Sequence, residues 1–161
     1  MKKSELEQTA RSLMASRKVA MLSTYSPNAE MGDYPFGSMV RFAIAEDGSP
    51  LLVLSRIAEH SKHIANNPSV SLLINGQEIE GKEQETERLT LLGELHCLDQ
   101  KGYSQQELQM IAQPYFDTYP ESLMYWQTMD FDIYKLEIHK ARYIMGFARA
   151  HWLKEGFEKL N

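Results

Sequence analysis

Residues 35–74 read PFGSMVRFAIAEDGSPLLVLSRIAEHSKHIANNPSVSLLI. Phe36 to Ala45 is compatible with one long strand. Asp47-Gly48 is a hairpin signal, because both residues tolerate the left-handed turn conformation. Leu51 to Ser55 is strand-like again, and the two strands are expected to pair antiparallel. Ile57 to Asn66 predicts a helix of about two to three turns. Asn67-Pro68 ends it, since proline disfavours a helical conformation in the residue before it. Val70 to Asn75 follows as another strand.

The flanks extend this pattern. Ser4 with Glu7 has the S-x-x-E spacing of a capping box, and Leu6, Ala10, Leu13 and Met14 recur at helical spacing. They predict a helix over 4–17. Val19 to Thr24, bounded by Ser26-Pro27-Asn28, reads as a strand and turn. Downstream, residues 77–87 hold five glutamates and predict an exposed loop with no catalytic role. Arg88 to Cys97 returns to strand character, with Leu89, Leu91 and Leu95 on one parity. Ser104 with Glu107 repeats the capping signal before Leu108, Ile111, Ala112 and Tyr115. Pro114 interrupts that stripe, and Tyr119-Pro120 precedes a second short helix through Tyr125 and Trp126. Phe131 to His139 and Ala141 to Phe147 read as two strands, and residues 153–161 as a weakly patterned tail. The total is about seven strands and three or four short helices, joined mostly by hairpins. That is mainly β, and it favours an antiparallel barrel or sandwich over a parallel α/β sheet.

Composition narrows the function. The 161 residues fit a single domain over 1–161, 43% hydrophobic and 24% charged. No apolar run approaches the ~18 residues of a membrane-spanning helix, and MKKSELEQ is no secretory signal. One cysteine, Cys97, fits a reducing compartment, so a cytoplasmic location is expected. Seventeen Lys and Arg against 22 Asp and Glu give a net charge of -5, which argues against nucleic-acid binding. Whether the core belongs to one chain or to a dimer stays open at this level.

Chemistry concentrates where the second strand meets the helix. Ser55 is followed by Arg56, His60, Ser61, Lys62 and His63. Free N–H groups and a partial positive charge at a helix N-terminus attract phosphate. The plainer reading is a hydroxyl cap and a solvated helix face. His60 and His63 could face one ion, but His96, His139 and His151 lie in unrelated segments, and no metal site is expected. Cys97 reads as a small buried residue, and Tyr115, Tyr119, Tyr125 and Trp126 as packing groups. Arg149, His151 and Trp152 edge either a ligand pocket or an exposed strand end.

Several motifs occur in a telling order: G-S-M-V-R at 37–41, L-S-R-I-A-E-H at 54–60, N-P-S-V-S-L-L at 67–73, E-R-L-T-L-L-G at 87–93, D-F at 130–131, and Gly146, Phe147, Ala150 and Trp152 near the end. This order resembles the FMN-binding split-barrel family that includes pyridoxamine 5'-phosphate oxidase, and within it the HugZ/HutZ-type haem-utilisation branch. The resemblance implies a six-stranded antiparallel split barrel with flanking helices, working as a homodimer with FMN across the interface. It places Ser38, Met39, Val40 and Arg41 along the flavin, and Leu54 and Ser55 beside its ribityl-phosphate tail. His60 and Lys62, with Ser61 between them, stand where the oxidases grip the phosphate with an Arg-Lys pair, and Arg88 falls near a polar flavin contact. The C-terminal stretch GFARAHWLKEGFEKLN lacks the oxidases' substrate motif. The haem-degrading branch ligates iron through a histidine near its C-terminus, and here the last histidine is His151. Three expectations follow. The first is an FMN-dependent oxidoreductase acting on a small molecule, with the flavin itself doing the redox work. The second is a haem-binding or haem-degrading protein, and the third a cofactor-free dimeric binding or regulatory module.

Overall fold

The run Pro50–Ser55 is the most continuously apolar strand, and both its faces are buried. Leu52 and Leu54 point into one core with Leu22, Leu72, Leu91 and Tyr143. Leu51 and Val53 point into a second core with Tyr115, Phe116 and Trp126. A strand buried on two sides needs no polar alternation. It therefore marks where a barrel wall is backed by helices.

The computed structural model describes residues 1–28 and 30–154. The end of the expected tail, 155–161, lies outside the described residues. Helix α1 (Lys3–Ser16) leads into β1 (Val19–Thr24), β2 (Phe36–Arg41), β3 (Ala43–Ile44) and β4 (Pro50–Ser55). Helix α2 (Glu59–Asn66), β5 (Ser69–Asn75) and β6 (Arg88–Cys97) follow. Helices α3 (Gln105–Ile111), α4 (Gln113–Thr118) and α5 (Glu121–Thr128) precede β7 (Phe131–Ile144) and β8 (Ala150–Leu153). The sheet is antiparallel, in the order β2-β1-β5-β6-β7-β4-β3, with β8 on β7. It curls around the first core, and Leu6, Ala10, Leu13 and Met14 of α1 cover that core.

Four expectations are corrected. Among the described residues the sheet has eight strands, against the six or seven expected. The run from Phe36 is split at Phe42, so β2 pairs with β1 while β3 pairs with β4. Phe42 is fully buried, its N–H donates to the Lys18 carbonyl at 3.0 Å, and its own carbonyl accepts from the Tyr119 hydroxyl at 2.8 Å. The two strands expected over 131–147 are the single β7. Its pairing with β6 shifts register between Leu92 and Gly93, which leaves His139 as an extra residue. Leu136 and Ile138 are buried before the bulge, Ala141 and Tyr143 after it, so the inward parity switches there. The first helix begins at Lys3 rather than Ser4. Its backbone cap is Glu5, whose carboxylate accepts from the Lys2 N–H at 2.9 Å. The box expected at Ser104 and Glu107 forms as read, with bonds of 3.2 and 2.7 Å.

β7 also explains why the barrel is split. Along one edge it pairs with β4 over 131–135 and with β8 over 141–144. Residues 136–140 lie between, with no strand on that side among the described residues.

Candidate functional site

The β4–α2 junction gathers Leu54, Ser55, His60, Ser61 and Lys62. The Ser61 hydroxyl donates to the Ser55 carbonyl at 2.6 Å and ties the helix to the strand end. The helix begins only at Glu59 after an extended Ala58, so Ser55 is not its cap. The charges here are already committed. Lys62 Nζ donates to Glu59 Oε1 at 2.9 Å, which holds the Glu59 carboxyl below its usual range and pushes the ammonium up. Arg56 Nε donates to the buried Asp132 at 2.9 Å, and its Nη1 lies 3.4 Å from Asp130. Three carboxylates thus face two cations where the phosphate was expected.

Two histidines of α2 and Ser38 of β2 carry orphaned polar atoms. Thr24 Oγ1 and His63 Nδ1 are 2.9 Å apart, and Phe36 meets the His63 ring edge-on at 5.4 Å. Ser38 Oγ, His60 Nε2 and His63 Nε2 are buried without a hydrogen-bond partner among the described residues. Burial, with the neighbouring His63 second, lowers the His60 pKa from 6.5. The folded protein therefore binds fewer protons at His60 than the unfolded chain does. This contribution to stability is fully present above pH 6.5 and is lost as the pH falls below it. His60→Gln should flatten the acid limb of a urea-midpoint against pH curve below pH 6.5. An unchanged limb would assign it to other groups.

The remaining expected residues separate. Leu54 and Val40 are core residues, while Met39 is 74% exposed on the outer face. Arg41 is tied to α5, 2.5 Å from Glu121 and 4.4 Å above the Tyr119 ring. Arg88 pairs with Asn75, at the end of β5 away from α2, about 20 Å along the strand. Its guanidinium donates to the Gln84 and Thr86 carbonyls at 3.2 and 3.1 Å.

The outer sheet face forms a second arrangement. One register row runs Met39, Met21, Leu73, Thr90, Arg142 and Trp152 across six strands. The Arg142 guanidinium lies 5.2 Å over the Trp152 ring. Met21, Met39, Val19 and Trp152 are all exposed here. The row is therefore apolar at one end and cationic-aromatic at the other.

Sequence reading missed one grouping. His96 and His139 do not lie in unrelated places: β6 and β7 bring both beside Glu94 and Glu137. The available signal was Glu-Leu-His at 94–96 and Glu-Ile-His at 137–139, the same tripeptide pattern in two strands. Only the pairing shows that the two copies meet.

Similar proteins were found by sequence and by structure. Over 131 residues, 81% of this chain, it is 34% identical to the chloroplastic non-canonical haem oxygenase HOZ of Arabidopsis thaliana. It spans 37% of that protein's length. The structure of a haem-binding protein from Mycobacterium smegmatis superposes with a TM-score of 0.78 at 25% identity, covering 96% of this chain and 58% of the other. HutZ of Vibrio cholerae shares the fold, with a TM-score of 0.66 at 22% identity over 95% of this chain and 96% of its own. The family model described as the CREG β-barrel matches residues 2–157, nearly the whole length, and the chain belongs to that family.

Proposed function

We propose that this protein binds haem on the outer face of its sheet, as a homodimer, and takes part in haem breakdown. The observation that carries the reading is the likeness to HOZ and to the mycobacterial haem-binding protein, at 34% and 25% identity. The chemistry of the face supports it. Haem is a flat apolar macrocycle with two carboxylates. Met39, Met21, Leu73 and Trp152 offer apolar surface in one row, and Arg142 offers a cation for a carboxylate. An exposed apolar face of this kind also suits a second copy of the chain. Among the described residues, His151 on β8 pairs with the buried Tyr143 and so points to the side opposite Trp152, away from the outer face. The iron ligand on that face is therefore not His151. Bound haem supplies an iron centre able to activate dioxygen. The chain's own part is to hold the ring and its carboxylates and to keep water from one face. We place the protein in a reducing compartment, the cytoplasm first. Among the described residues no helix is long and apolar enough to cross a membrane.

Haem titration tests this reading. The expected result is a shifted Soret band at one haem per chain or per dimer, with the affinity lowered by Arg142→Ala. No Soret shift at saturating haem would end it. FMN is the second reading, favoured by the orphaned Ser38 Oγ on β2 and His60 Nε2 on α2. It ranks lower because the phosphate would meet Glu59, Asp130 and Asp132 beside cations already paired. Protein purified yellow, with quenched FMN fluorescence, would reverse that order.

A further inference from the structure

The twin Glu-x-His segments build a cluster that neither haem nor flavin binding uses. Strand alternation puts Glu94 and His96 on one face of β6 and Glu137 and His139 on the same face of β7. Glu94 pairs directly with Glu137. Like charges directly opposite each other in a sheet are unfavourable unless something lies between them. The bulge at Gly93 sets His139 beside the pair.

The atoms converge. One ligand atom each from Glu94, Glu137 and His139 lie within 4.8 Å of one another. His139 Nε2 is 3.6 Å from Glu137 Oε1 and 3.8 Å from Glu94 Oε2. Neighbouring ligands around a tetrahedral ion with bonds of 2.0–2.1 Å stand about 3.4 Å apart. The observed spacings need only small rotations to reach that value. The other Glu137 oxygen, Oε2, is held by His96 Nε2 at 2.8 Å. That bond leaves Oε1 for a ligand and fixes the carboxylate's orientation, as an outer-sphere partner does in metal sites. His96 Nε2 also lies 3.9 Å from Glu94 Oε2. Among the described residues, the ion-pair partners of Glu94 and Glu137 are His96 and His139, with no lysine or arginine. The neighbouring Lys135 is paired with Asp47.

We propose that Glu94, Glu137 and His139 bind one first-row divalent cation of the Zn2+ class, with His96 positioning Glu137. One imidazole and two carboxylates are borderline-to-hard donors, which suits Zn2+, Co2+ or Mn2+ better than Cu+. Three protein ligands leave at least one coordination position for water or a small anion. The cluster lies along the 136–140 stretch where β7 lacks a partner on one edge. His139 also lines a cavity of about 720 Å³ with Lys140, Trp152, Leu153 and Lys154.

The test uses the untagged, haem-free full chain stripped with chelator, so its outcome is independent of the haem reading. Zn2+ titration should show one site per chain and raise the melting temperature. Co2+ should give weak visible bands without a thiolate charge-transfer band, which sets Cys97 aside. Glu94→Gln and His139→Ala should each weaken Zn2+ binding by more than about 100-fold. His96→Gln should weaken it by about 10–100-fold, the range for outer-sphere partners. Glu94→Gln keeps the side-chain shape, so a folding failure of His139→Ala would not hide the result. Unchanged Zn2+ affinity in Glu94→Gln, a thiolate band with Co2+, or no one-to-one binding by the wild type would each overturn the proposal.

Discussion

Replacing Gly93 with alanine should destabilise the domain by about 3 kcal/mol, the upper part of the range for overfilled sites. A Cβ at this position would stand 1.9 Å from the Glu137 carbonyl oxygen, 2.9 Å from its carbon and 3.2 Å from Ile138 Cα. All three are backbone atoms, so no side-chain rotation relieves the clash. The strands must part at the bulge or the pairing must slip. A slip by one residue would turn Leu136 and Ile138 outward. Urea denaturation of Gly93→Ala measures the effect. A midpoint equal to that of the wild type would mean the bulge can open at no cost. Zn2+ binding should weaken alongside, since the same bulge sets His139 beside Glu94 and Glu137.

Met39→Asp should convert the proposed dimer into monomers. Met39 is 74% exposed and lies opposite Met21, which in turn pairs with Leu73. Burying a methionine side chain is worth about 1.5–3 kcal/mol. In a two-fold interface the same substitution occurs in both copies. The combined loss of about 3–6 kcal/mol raises the dissociation constant by more than about 100-fold. Light scattering during size-exclusion chromatography at micromolar concentration reads the mass directly. Met124→Asp, an exposed change on α5, serves as the control and should leave the mass unchanged. A Met39→Asp protein with wild-type mass would remove the outer face as the interface.

Much of the fold was legible in local signals. Pro50–Ser55 is a buried strand, Asp47-Gly48 does turn the hairpin, with Gly48 at φ +89°, and Ser104 does cap α3. The misreadings have specific physical causes. β7 looks like two strands because its buried positions change from even to odd numbers at His139 and Lys140, which periodicity cannot distinguish from a break. Phe36 to Ala45 looks like one strand because Phe42 is as apolar as its neighbours, and its break is set by distant partners, Lys18 and Tyr119. At the β4–α2 junction, residue types and the resemblance showed which cations are present but not which partners they already have. Arg56 is spent on Asp132, 76 residues away, and only the pairing of β4 with β7 reveals it. His96 and His139 were invisible as neighbours for the same reason.

The break at Phe42 has a bearing on how safely the chain can be crowded. β2 and β3 stand at opposite ends of the sheet order, yet a single residue separates them. A flat sheet of the same strands would present two bare rims of backbone N–H and C=O groups, each able to recruit another molecule into a fibril. Here the first rim and the last belong to one bent segment, and neither offers a long straight template. The stretch of β7 left without a partner, 136–140, carries Glu137, His139 and Lys140. Charges at such a rim discourage strand addition, so the group we assign to metal binding also guards the barrel's open side against aggregation.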